Sequence, residues 1–104
     1  MRKQQELFTV GGTADIRSVA TIHRRLIEAF ESSDTIVVDV EHADGFDASF
    51  LQLIEAARMH AAATSKTLSL ANPASGELRE QLARGGFLSR TCDRAFWLQS
   101  GEVV

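Results

Sequence analysis

Tyrosine is missing from the 104 residues, and proline, cysteine and tryptophan occur once each. A single thiol, Cys92, excludes an internal disulfide and a multi-cysteine zinc site, and reads as a small, partly buried hydrophobe rather than a reactive group. No apolar run approaches the roughly 18 residues that a bilayer span requires, and the polar residues 1–6 lack the hydrophobic stretch of a secretory leader. The chain is therefore expected in the cytoplasm, with no direct insertion into a membrane. Lys and Arg are absent from residues 26–57, which hold eight of the fourteen acids. That stretch repels phosphate backbones, and the small basic groups elsewhere (Arg2-Lys3, Arg24-Arg25) are not interleaved with aromatics, so nucleic acid is not an expected partner.

What is present suits one compact domain over residues 1–104. With 44% hydrophobic residues, a chain of this length buries roughly two-thirds of its unfolded surface. Residues 1–6 are expected to be a loose N-terminal segment. Residues 7–10 form a short β-prone run that Gly11-Gly12 stops. Thr13 or Asp15 then caps a helix reaching about Phe30, with Ile16, Val19, Ile22, His23, Leu26, Ile27 and Phe30 on one stripe. Residues 35–40 are continuously apolar until Asp39 and read as a central strand covered on both faces. A second helix, from about Ser49 to Thr64, puts Phe50, Leu53, Ile54, Ala57 and Ala61 on one face and turns Gln52, Glu55 and Arg58 to water.

Residues 67–71 alternate as a half-buried strand ended by Asn72-Pro73. A third helix carries Leu78 and Leu82, and Gly85 or Gly86 terminates it. Residues 95–98, Ala-Phe-Trp-Leu, read as a last strand. The order β-α-β-α-β-α-β predicts an α/β fold: a mainly parallel sheet of about four strands packed with helices. In such sheets functional groups collect in loops that follow strand C-termini, and residues 39–49 form one.

That loop runs Asp39-Val-Glu41-His42-Ala-Asp44-Gly-Phe-Asp47-Ala48-Ser49-Phe50-Leu. Asp47 stands where its carboxylate caps the next helix. The whole stretch, with residues 67–73 (Thr-Leu-Ser-Leu-Ala-Asn-Pro), resembles the STAS domain family of anti-sigma factor antagonists, in which a strand leads through Asp-Ser-Ser-Gly or Asp-Ser-Thr-Gly into a helix. The resemblance implies a single STAS-like domain, non-enzymatic and without a cofactor, that regulates transcription or signalling in bacteria by docking on a protein. It also implies a phosphorylated serine immediately after the loop aspartate. Here that position is Ala48, which has no oxygen to phosphorylate. Ser49 matches the second hydroxyl, and Phe50 replaces the glycine.

The expected partner-binding residues are Glu41, Asp44, Asp47, Ala48, Ser49, Phe50 and Gln52, with Phe50 as an apolar anchor in an acidic rim and Asp39 positioning the loop. Ser49 is the candidate phosphosite if the role has moved by one residue. Stoichiometric phosphate is not expected there, because Asp47 and Asp44 repel it; Ser49 also fits as an ordinary first-turn helix residue. The expected partner is a histidine-kinase-like anti-sigma factor, alternatively the ATPase of a membrane lipid-transport ABC system or a chemotaxis component. No nucleophile-base set is legible, so no catalytic residues are assigned. His42 with Glu41, Asp44 and Asp47 is the one cluster resembling a metal site, and a solvated acidic loop explains it.

Overall fold

The computed structural model describes residues 3–99, the first two of these by backbone alone. Its elements are β1 (Lys3–Thr9), β2 (Gly12–Thr13), α1 (Val19–Ser32), β3 (Ser33–Asp39), β4 (Ala43–Asp44), α2 (Ala48–Ala63), β5 (Thr67–Leu70), α3 (Gly76–Arg84) and α4 (Thr91–Trp97). The expected loose segment is therefore partly strand, because residues 3–6 already belong to β1; residues 1 and 2 lie outside the described residues.

The main sheet has the order β1-β3-β5 and is parallel throughout, while β2 and β4 form a separate parallel pair. Strand side chains alternate between faces, and the register stacks Glu6, Ile36 and Leu68 in one row and Phe8, Val38 and Leu70 in the next. Apart from Glu6, these residues are buried. The intervening row, Leu7, Val37 and Ser69, faces the other way, and Leu7 is 60% exposed. The central strand thus alternates, contrary to the expectation of cover on both faces: Thr35, Val37 and Asp39 are half-buried while Ile36 and Val38 are sealed.

The helices supply the core on the sealed face. Ile22, Leu26, Ala29 and Phe30 of α1 and Phe50, Leu51, Ile54, Ala57 and Ala61 of α2 are buried, the three- and four-residue spacing that turns one stripe inward. α1 packs on β1 and β3, α2 on β5, and the two helices meet. Their alanines let α2 approach closely. α3 buries Leu78 and Leu82, and the chain leaves it through Gly86, whose φ of +79° is the left-handed conformation that ends helices.

The predicted last strand is instead the helix α4. A short apolar run has no period long enough to separate strand from helix; here Asp93 and Trp97, one helical turn apart, are the buried pair. α4 sits against β5, where the Trp97 carbonyl accepts from Ala74 N at 2.7 Å and the Gln99 side chain donates to Leu70 O at 2.7 Å. The main sheet accordingly has three strands rather than four.

α4 also corrects the outer face of α2. Arg58 was expected in water, yet its guanidinium lies 4.4 Å from the centroid of the Phe96 ring and bonds Asp93 at 3.3 Å and Glu55 at 2.6 Å. Arg90 grips the same Asp93 carboxylate through both its Nε and an Nη, at 3.0 and 3.1 Å. The hydrogen bond from Arg90, helped by Arg58, holds the Asp93 carboxyl below its ordinary range against the opposing effect of burial.

Candidate functional site

Loops gather at the C-terminal ends of the three parallel strands, and the β2–β4 pair fastens two of them together. Val10 N donates to Asp39 O at 2.9 Å, Gly12 N to His42 O at 3.2 Å and Ala14 N to Asp44 O at 2.7 Å. Such a ladder needs a sharp turn on each side. Gly12 and Gly45 provide them, with φ of +74° and +63°. At Gly45 even a methyl group would collide, because its Cβ would stand 2.7 Å from Thr13 Cγ2. Asp39, at the end of β3, accepts from Glu41 N at 2.9 Å and so shapes the turn out of the strand. From the third loop and α3, Glu77 reaches across to accept from Gly45 N at 3.0 Å.

Asp47 is the centre of this arrangement. Its Oδ1 accepts from the Ser49 amide at 3.0 Å, the Phe50 amide at 3.3 Å and the Ser49 hydroxyl at 2.5 Å, which makes it the N-cap of α2. Its Oδ2 accepts from Ile16 N at 3.0 Å, 31 positions earlier. One carboxylate therefore caps a helix and holds the preceding loop. The Ser49 hydroxyl, followed by the amides of Ile16, Phe50 and Ser49, draws the Asp47 carboxyl below its ordinary range despite partial burial.

The loop that Asp47 holds departs from the helical first turn expected from the sequence. Instead, residues 15–18 form a separate turn, and α1 begins only at Val19. Asp15 accepts from Arg17 N at 3.0 Å, its carbonyl accepts from Ser18 N at 2.9 Å, and the Ser18 hydroxyl donates to Thr13 O at 2.7 Å. These local bonds compete with helix formation, as short polar side chains do. The Arg17 guanidinium bonds Asp15 at 2.9 Å and holds that carboxyl below the usual range. Ile16 is thereby removed from the apolar stripe and stands 66% exposed.

Of the expected partner-binding residues, Glu41, Asp44, Ala48 and Gln52 are exposed and Asp47 and Ser49 half-buried. Phe50 is a correction. It is 1% exposed and packs on Phe46 with ring centroids 5.4 Å apart, so it belongs to the core and cannot be an anchor. The position on α2 explains this: Phe50 lies on the same stripe as Ile54, Ala57 and Ala61. The exposed large hydrophobic side chain at these loops is Ile16. Sequence reasoning missed it because a three-residue step to Val19 mimics the helical stripe; the signal against that reading was Asp15 and Ser18, three apart, able to close a turn of their own.

His42 lies on the exposed rim with Glu41 at 3.6 Å, and no group of three His, Cys, Asp or Glu side chains gathers among the described residues. Between the second and third loops lies a cleft of ≈ 300 Å3, lined by Val40, Glu41, Phe46, Pro73, Glu77 and Leu78 among others. No helix among the described residues is long and apolar enough to cross a membrane.

Compared with protein families, residues 2–88 match the family described as Mlab, STAS domain. No curated protein and no solved structure matches the chain. The matched region takes in the sheet, α1 to α3 and every loop of the site, and the chain belongs to the STAS domain family.

Proposed function

We propose that this domain is a docking module whose interface is not switched by phosphate. STAS domains generally regulate or dock rather than catalyse, and commonly do so on protein partners. The observation that carries the narrower reading is the state of the two positions after Asp47. Ala48 is exposed and offers a methyl group where the resemblance implies a phosphoacceptor. The neighbouring Ser49 hydroxyl is committed to Asp47 at 2.5 Å. Phosphorylating it would remove that donor and place close to two negative charges against the carboxylate that caps α2.

The partner-facing surface is the acidic loop with Glu41, Asp44 and Asp47, continued by Ala48, Ser49 and Gln52 on α2. Its partner in the first reading is a histidine-kinase-like anti-sigma factor, so that the domain acts as an antagonist without a phosphate switch. Ala48 equally favours a second reading, a cytoplasmic accessory subunit of a membrane lipid-transport ABC system, because a permanent subunit has no need of one. A chemotaxis adaptor shares the same surface logic.

Affinity capture of the tagged domain from its native lysate, with and without ATP, decides among them. Recovery of the kinase supports the antagonist reading, an ABC ATPase the subunit reading, and a chemoreceptor assembly the adaptor. Substantial phosphate at Ser49 in fragment spectra of the native protein refutes the unswitched interface.

A further inference from the structure

We infer that Ile16 is the apolar anchor of the docking face, and that the face fits a protein partner presenting an apolar socket rimmed by Lys or Arg. This rests on the docking reading above and names the chemistry of its partner. Among the described residues, four large hydrophobic side chains are exposed: Leu7, Ile16, Ile27 and Met59. Leu7 lies on the open sheet face and Ile27 and Met59 on the helices. Ile16 alone of the four sits at the strand C-termini, in bonding contact with the site through its own amide.

A lone exposed isoleucine is ordinary on a protein surface. What distinguishes Ile16 is that its backbone is held from both sides. Asp47 accepts its amide, and the next residue, Arg17, is fixed by Asp15 through backbone and guanidinium. A rigid apolar projection loses little conformational freedom on association, which favours it as an anchor. Ala48, next in sequence to the Asp47 that holds the Ile16 amide, is exposed as well.

The surrounding charge defines the other half of the partner. Asp15, Asp39, Glu41, Asp44 and Asp47 lie on the first two loops and their strand ends and Glu77 at the start of α3, against which stand Arg17, already paired with Asp15 at 2.9 Å, and Arg79 on α3. Residues 39–49 and 72–78 contain no Lys or Arg. The cleft between the second and third loops, bordered by Glu41 and Glu77, can receive a basic side chain of the same partner. A socket with an acidic rim would meet mostly like charge on these loops, whereas a basic rim meets complementary charge and gains association rate.

The test separates the anchor from the docking reading. Benzoylphenylalanine is placed at Ala48 and, separately, at Met59, and cells of the source organism are irradiated. A protein crosslinked from position 48 and not from 59 supports the docking face; no crosslink from 48 overturns both the face and the anchor. The crosslinked protein is then purified and titrated against Ile16→Ala, with Ile27→Ala as control. Ile16→Ala is expected to weaken binding about tenfold or more with an unchanged urea midpoint, and Ile27→Ala by less than about twofold. Affinity is also expected to fall as salt is raised. Unchanged affinity for Ile16→Ala with the crosslink at 48 intact overturns the anchor and leaves the docking reading standing. Salt-independent affinity overturns the basic rim.

Discussion

Replacing Asp47 should disconnect two parts of the molecule at once, and two variants can tell the parts apart. Asp47→Ala removes the α2 cap, worth about 1 kcal/mol. It also removes the bond to the Ile16 amide, a charge-assisted but partly solvated contact worth about 1 kcal/mol more. The sum, about 2 kcal/mol, lowers the melting temperature by roughly 10 °C in a domain of this size. Asp47→Ser retains a capping oxygen but is too short to reach Ile16, so it should lose only the second part, about 1 kcal/mol. Urea titration gives the stabilities, and hydrogen exchange at the Ile16 amide reports the tether directly.

Acid supplies an internal control. The folded Asp47 carboxyl lies below its unfolded value, so its contribution is complete above about pH 4 and is lost as pH falls through the lower folded value. The stability gap between the natural protein and Asp47→Ala should therefore close on acidification. Asp47→Ser with natural stability and undiminished protection of the Ile16 amide would refute the tether.

Two further outcomes follow from burial. Phe50→Ala should destabilise the domain by about 3–5 kcal/mol, because it empties a sealed site against Phe46; thermal melts would show this, and a variant that melts like the natural protein would contradict the core assignment. Asp93→Ala should cost up to about 3 kcal/mol, since it removes the buried carboxylate that bonds both Arg58 and Arg90 and leaves Arg58 beneath α4 with Glu55 alone. The Asp93 carboxyl is also depressed in the folded state, so that cost should be present at neutral pH and vanish in acid, a trend that paired urea titrations would reveal.

The parallel β-α-β core was legible because its apolar residues repeat with clear periods over long segments, and because Asp47 stands where a helix must be capped. The stripe through Phe50, Ile54, Ala57 and Ala61 also foretold that Phe50 is buried; treating it as an anchor set one residue's identity above its position on the helix. Arg58 was misjudged for a different reason. The polar side of a helix faces water only if nothing packs there, and the covering element, α4, is too short to announce itself by period. Ile16 was hidden by a local competition: Asp15 and Ser18 bond to the backbone nearby and delay the helix.

The link from Asp47 back across 31 positions to Ile16, together with the β2–β4 pair, also bears on biosynthesis. Residues 12–17 emerge from the ribosome early with only their local bonds among Thr13, Asp15, Arg17 and Ser18, and the bonds to His42, Asp44 and Asp47 that complete their shape come with the second strand-helix junction. A nascent or truncated chain ending before Asp47 therefore carries Ile16 without the bond that fixes its backbone, and on the proposed reading it has no finished docking face.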